Sequence, residues 1–222
     1  MRAGLLLAGV LISLNASAAP GIWTSTLTTT NDTEAVNITV SPGKLDGKAG
    51  LNVSRAPGTS GLLRLKAAPD FRDGTIELDI AGGLRPDASP TARAFIGVSF
   101  RVSPDASHFE TIYLRPTNGR ADDQVRRNHT TQYISTPDFD FDRLRKESPE
   151  KYESYVDLLP DHWTHMKIEI KGAEARLFVD GAKQPCLVVT DLKLGADAHG
   201  GIAVWVGPGT NGYVRDVKVR YR

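Results

Sequence analysis

The stretch from Phe95 to Tyr133, FIGVSFRVSPDASHFETIYLRPTNGRADDQVRRNHTTQY, constrains the fold more than any other part of the chain. Ile96, Val98, Phe100 and Val102 occupy alternate positions, with Ser99 and Arg101 between them. A few residues on, Ile112 and Leu114 alternate with Thr111, Tyr113 and Arg115. Side chains alternate across a strand with period two, so each segment predicts a half-buried strand with one apolar and one polar face. Arginine, tyrosine and serine on one sheet face predict the floor of a polar ligand site, not a merely solvated surface.

The same alternation recurs along the chain. Val36, Ile38 and Val40 predict an early strand. Ile76, Leu78 and Ile80 oppose Thr75, Glu77 and Asp79, and Met166, Ile168 and Ile170 oppose Lys167 and Glu169. Asp73-Gly74 marks a turn, and Asp180-Gly181 favours closure of a hairpin. Leu187–Val189, Gly201–Val206 and Tyr213–Arg220 supply the last strands. Many short strands with few helix signals predict an all-β sandwich or barrel. Thr136–Tyr155 breaks the pattern: it is dense in charge and aromatic rings and is interrupted by Pro137 and Pro149. It predicts a partly helical insertion around Phe141–Glu147 that walls the site and is too polar to bury a core of its own.

Composition narrows the partners. A net charge of +1 over 222 residues gives no reason to expect nucleic acid or an anionic membrane. Arg2, the apolar run Gly4–Leu14 and Ala16-Ser17-Ala18 have the layout of a signal peptide, so residues 1–18 are expected to be removed and 19–222 to form one exported domain, periplasmic or extracellular. The single cysteine, Cys186, allows no intrachain disulfide and reads as a small buried hydrophobe.

Several motifs, in order, resemble the concanavalin A-like lectin/glucanase superfamily: Phe71-x-Asp73-Gly74-Thr75-Ile76-Glu77, then Phe95–Arg101, then Tyr113-Leu114-Arg115-Pro116, then His129-x-x-Gln132-Tyr133. Within it they are similar to exported bacterial domains of the 3-keto-disaccharide hydrolase type and to laminin G-like domains. Gly200–Gly207 followed by Val214–Val219 resembles the superfamily's closing hairpin. The resemblance implies a jelly-roll of two antiparallel sheets, with carbohydrate received on a concave sheet. It also admits a structural calcium, which the sequence does not place; no other cofactor is expected.

The expected ligand floor is Glu77, Asp79, Arg101, Tyr113 and Arg115, with Asn118, His129, Gln132 and Tyr133 at the rim. Glu77 and Asp79 lie roughly 6.5–7 Å apart along one strand face. In the superfamily's retaining glucanases a Glu-x-Asp pair supplies the nucleophile and its helper, and a further glutamate supplies the acid/base. Here the following positions are Ala81, Gly82 and Gly83, which argues against that mechanism. An enzyme of the keto-sugar glycoside hydrolase kind would instead use Glu77 and His129 as acid and base. In the plainer alternative Glu77 pairs with Arg101 or Arg115 and is structural. A protein-binding laminin G-like module is the third reading. Trp163 and Trp205 are further candidates for stacking on a sugar. Asp138-Phe-Asp140-Phe-Asp142 imitates the start of a calcium loop, but Arg143 and Pro149 replace the glycine and glutamate that such a loop needs.

Overall fold

The computed structural model describes residues 21–222; the expected signal peptide lies outside them. Two antiparallel sheets stack face to face. Numbered along the chain, the first sheet runs β13 (Leu187–Val189), β12 (Glu174–Val179), β11 (Thr164–Lys171), β6 (Gly74–Leu84), β15 (Thr210–Tyr221), β4 (Lys48–Arg55) and β3 (Thr39–Leu45), with β1 (Ile22–Ser25) also paired to β15. The second runs β10 (Glu153–Ser154), β9 (Thr131–Thr136), β8 (Phe109–Leu114), β7 (Ile96–Val102), β14 (Gly201–Val206), β5 (Gly61–Leu65) and β2 (Thr33–Val36). Short helices α1 (Gln124–Asn128) and α2 (Phe141–Glu147) follow β8 and β9. This is the expected all-β jelly-roll of two antiparallel sheets with a short, partly helical insertion.

The alternating apolar residues meet between the sheets. Ile76, Leu78, Ile80, Ile168 and Val219 of the first sheet face Val98, Phe100, Ile112, Leu114 and Val204 of the second in one buried cluster. Each such side chain contributes about 1.5–3 kcal/mol through removal from water. The opposite faces of the same strands carry the polar residues.

Three features depart from the sequence reading. The early alternation at Val36, Ile38 and Val40 spans two strands in different sheets. β2 ends at Val36, Asn37 turns the chain with φ +58°, and β3 begins at Thr39. Asparagine is one of the few residues that visits the left-handed region readily. Pro42, which cannot donate to a ladder, is tolerated because β3 is an edge strand.

The second departure is a bulge in β7. Ala203 pairs with Ser99 but Gly201 pairs with Val102, so β7 carries one extra residue. Arg101 absorbs it with φ +55°. An inserted residue flips the alternation beyond it. Phe100 therefore stays in the core, whereas Val102 emerges on the outer face with Tyr113 and Trp205.

Third, the charged insertion is more deeply built in than expected. Leu144 and Tyr152 are core residues, and the Tyr152 ring packs 5.5 Å from that of Tyr133. The segment also adds β10 to the edge of the second sheet, with Glu153 opposite Gln132.

Candidate binding site

The outer face of the second sheet carries a row of register partners: Gln132 on β9, Tyr113 on β8, Gly97 on β7, Trp205 on β14 and Leu62 on β5. Directly opposed residues share a face. Gly97 leaves a gap in the row, and Tyr113 and Trp205 close over it with ring centroids 4.6 Å apart and planes 31° apart. A Cβ on Gly97 would lie 2.3 Å from the Ile112 carbonyl oxygen and 2.4 Å from the Tyr113 Cα. Phe95 meets Tyr113 edge-on at 6.0 Å. These rings floor a cavity of about 640 Å³. Its walls are the Pro57–Ser60 loop, the Ser89–Arg93 loop ahead of β7, residues from Asn118 to His129 between β8 and β9, and Asp140, Phe141 and Arg145 at α2.

One wall is organised by Arg115, which is only 4% exposed. Its guanidinium donates to Glu153 Oε1 at 2.9 Å, Tyr113 Oη at 3.0 Å, Gln132 Oε1 at 3.0 Å and the His129 carbonyl at 3.1 Å. Four of its five N–H groups are thereby used within the protein. Glu153 also accepts two hydrogen bonds from Arg145. Burial pushes the Glu153 pKa up, but the bonds from Arg145 and Arg115 outweigh it and hold the carboxyl below its usual range. His129 Nε2 stands 3.7 Å from Glu153. Burial lowers the His129 pKa; Glu153 opposes this while Arg145 and Arg115 add to it. Asn118 donates to the His129 carbonyl at 3.0 Å, and its own Oδ1 lies 3.4 Å from Arg126. Asp140, read as part of a calcium-like pattern, caps α2 by accepting from the Arg143 N–H at 2.8 Å.

Of the expected site residues, the cavity brings together Tyr113, Arg115, Asn118 and His129. Gln132 lies behind them. It is buried, accepts from Arg115 and donates to the carbonyls of Tyr133 and Tyr152, so it orients the wall and does not line it. Four residues fall elsewhere. Glu77 and Asp79 belong to β6 of the first sheet, and because Ile76, Leu78 and Ile80 face the core, the carboxylates emerge on the far side of the sandwich. There Glu77 pairs with Arg220 and Asp79 with His165 at 2.8 Å, neither with Arg101 nor with Arg115. Glu77 and His129 thus stand on opposite outer faces and cannot act on one substrate bond as acid and base.

Arg101 is also outside the cavity. It is 1% exposed, and it donates to the carbonyls of Arg72, Gly172 and Gly195 at 2.7–3.2 Å, clamping three turns at one end of the sandwich. Tyr133 points into the core. Its hydroxyl donates to Glu110 and accepts from the Lys193 N–H at 2.8 Å. Burial raises both the Tyr133 and the Glu110 pKa.

The sequence reading left out Phe95, Arg93, Arg126, Phe141, Arg145 and Glu153, and named Trp205 without placing it. Trp205 carried a usable signal: Ile202, Val204 and Val206 alternate with Ala203 and Trp205, which puts the indole on the face opposite the core. The loop residues carry no periodicity, so no comparable signal marks them. Trp163 lies with the first sheet, edge-on to Tyr213 at 6.3 Å. Among the described residues, no group of three or more His, Cys, Asp or Glu side chains is arranged to hold a metal ion.

No family model matches the chain, and no curated protein matches it in sequence. Solved structures match its fold. The carbohydrate-binding module CBM66 from Bacillus subtilis superposes with a TM-score of 0.59 at 14% identity, over 85% of this chain and 95% of that one. A Bacillus subtilis protein of unknown function with a galectin-like fold gives 0.58 at 12% identity, over 90% and 96%. The exoplasmic/lumenal domain of VIP36, in its Ca2+/Man3GlcNAc-bound form, gives 0.54 at 12% identity, over 87% and 85%. At these identities the likeness establishes the shared jelly-roll and leaves the function to the site.

Proposed function

We propose that this protein binds a carbohydrate in the cavity on the outer face of its second sheet. The observation that carries the reading is the aromatic floor, Tyr113 packed on Trp205 with Phe95 beside them, ringed by fixed hydrogen-bonding side chains. A sugar presents C–H groups on one face and hydroxyls around its edge. Such a ligand suits a ring-lined floor with a polar wall. CBM66, a carbohydrate-binding module, and the glycan-bound VIP36 domain share the fold, which supports the reading. With its signal-like first eighteen residues, the protein would meet this ligand outside the cytoplasm.

The test is a glycan array followed by titration of the wild type and of Phe95→Ala, a half-buried floor residue. A bound glycan stabilises the fold by mass action and raises the melting temperature of the wild type. Phe95→Ala should remain folded and lose most of that shift. If no glycan raises the melting temperature, or if Phe95→Ala responds as the wild type does, the reading is wrong.

A further inference from the structure

The cavity is strongly cationic on a protein that is nearly neutral. Arg93, Arg115, Arg126 and Arg145 all line it, against one lining carboxylate, Asp140. Glu153 neutralises only part of this, and it is committed to Arg115 and Arg145. Counting it, four positive charges face two negative ones. Arg93 and Arg126 are the uncommitted pair. Arg93 donates through one terminal nitrogen to the carbonyls of Pro90 and Ala92. Arg126 makes only the long contacts to Asn118. Neither forms an ion pair among the described residues. Burial lowers the Arg93 pKa, and the charges of Arg126 and Arg115 lower it further. Like charges crowded at a half-buried site and outnumbering its carboxylates disfavour the empty cavity and favour an occupant that brings the missing charge.

Resting on the carbohydrate reading of this cavity, we infer that the ligand is an acidic glycan whose carboxylate or sulfate sits between Arg93 and Arg126 while its ring lies against the aromatic floor. A planar guanidinium fork matches either oxyanion through paired N–H···O bonds, and two forks hold it more selectively than neutral hydroxyl donors do. A neutral sugar in the same place would leave both charges uncompensated.

The experiment is calorimetric titration of the full chain with tri-galacturonate, with its methyl ester, and with a sulfated galactose trisaccharide and its unsulfated parent. Arg93→Gln and Arg126→Gln are titrated in parallel. The acid or the sulfate ester should bind roughly tenfold or more tightly than its neutral partner; which of the two does so identifies the anion. The preference should shrink in Arg93→Gln and Arg126→Gln and should weaken with added salt. If the neutral and acidic forms bind equally well and Phe95→Ala abolishes both, the cavity holds carbohydrate but the charge inference fails. If the anions bind and Phe95→Ala has no effect while the arginine variants do, the site takes small anions and the acidic-glycan inference fails. If nothing binds in any arm, both readings fail.

Discussion

Replacing Glu153 by Gln tests the electrostatics that hold the site wall. The carboxylate is almost fully buried and accepts from Arg115 at 2.9 Å and from Arg145 at 3.0 Å. Glutamine keeps the shape and one acceptor oxygen, but removes the charge and turns an amide toward two guanidinium groups. Breaking a buried ion pair by removing one partner costs about 3–5 kcal/mol. The Arg145 side chain is 38% exposed, so water recovers part of that, and a loss of about 2–3 kcal/mol is expected. For a fold of this size the melting temperature should drop by about 4–12 °C. The pH dependence follows from the depressed Glu153 pKa. A carboxyl whose folded pKa lies below its unfolded value stabilises the fold at every pH above the unfolded value. That contribution disappears as pH falls through the folded value. Urea unfolding of wild type and Glu153→Gln should therefore show the full difference at pH 7 and a converging one in acid, below the ordinary glutamate range near 4.5. A difference under about 0.5 kcal/mol, or one that stays constant down to acid pH, would refute the claim that this carboxylate organises the wall.

Other substitutions probe other parts of the account. Gly97→Ala should cost about 1–3 kcal/mol by overpacking and disturb the near-ultraviolet dichroism of the Tyr113–Trp205 pair; an unchanged spectrum would count against the role given to the gap. Trp205→Ala, emptying a 6% exposed position, should cost about 3–5 kcal/mol in urea unfolding. Arg101→Lys should destabilise nearly as much as Arg101→Ala, because one ammonium cannot reach carbonyls on three separate turns; rescue by lysine would contradict the clamp. Deleting residues 138–152 should prevent folding or strongly lower the melting temperature, since Leu144 and Tyr152 leave the core, and a stable truncated sandwich would show them to be dispensable.

The faces of individual strands were legible in the sequence where the ladder is regular. From β8 into the residue that follows it, the alternation of Ile112 and Leu114 with Tyr113 and Arg115 is the alternation seen, so the floor and its wall arginine lie where the period puts them. The same rule misled at Val102 because the bulge at Arg101 is carried by a residue with no sequence preference for φ +55°. It misled more seriously at Glu77 and Asp79. Period two says which residues of one strand share a face, but not which of two sheets the strand joins. Two polar faces on opposite sides of a sandwich look alike in sequence, so the pattern groups the carboxylates of one with Arg115 of the other. The cavity walls come from loops and short helices, where Arg93, Arg126 and Phe141 follow no period, and only the fold brings them together.

The central claim, that ligand occupies the cavity over Trp205, is tested most directly by the indole N–H signals in a nitrogen–proton correlation spectrum. The chain has three tryptophans: Trp205 on the cavity floor, Trp163 with the first sheet and Trp23 in β1. Titration with an oligosaccharide selected on the array should shift the Trp205 signal and leave those of Trp163 and Trp23 in place. Movement of the Trp163 signal with Trp205 unchanged would put the ligand on the face of Glu77 and Asp79 and contradict the account.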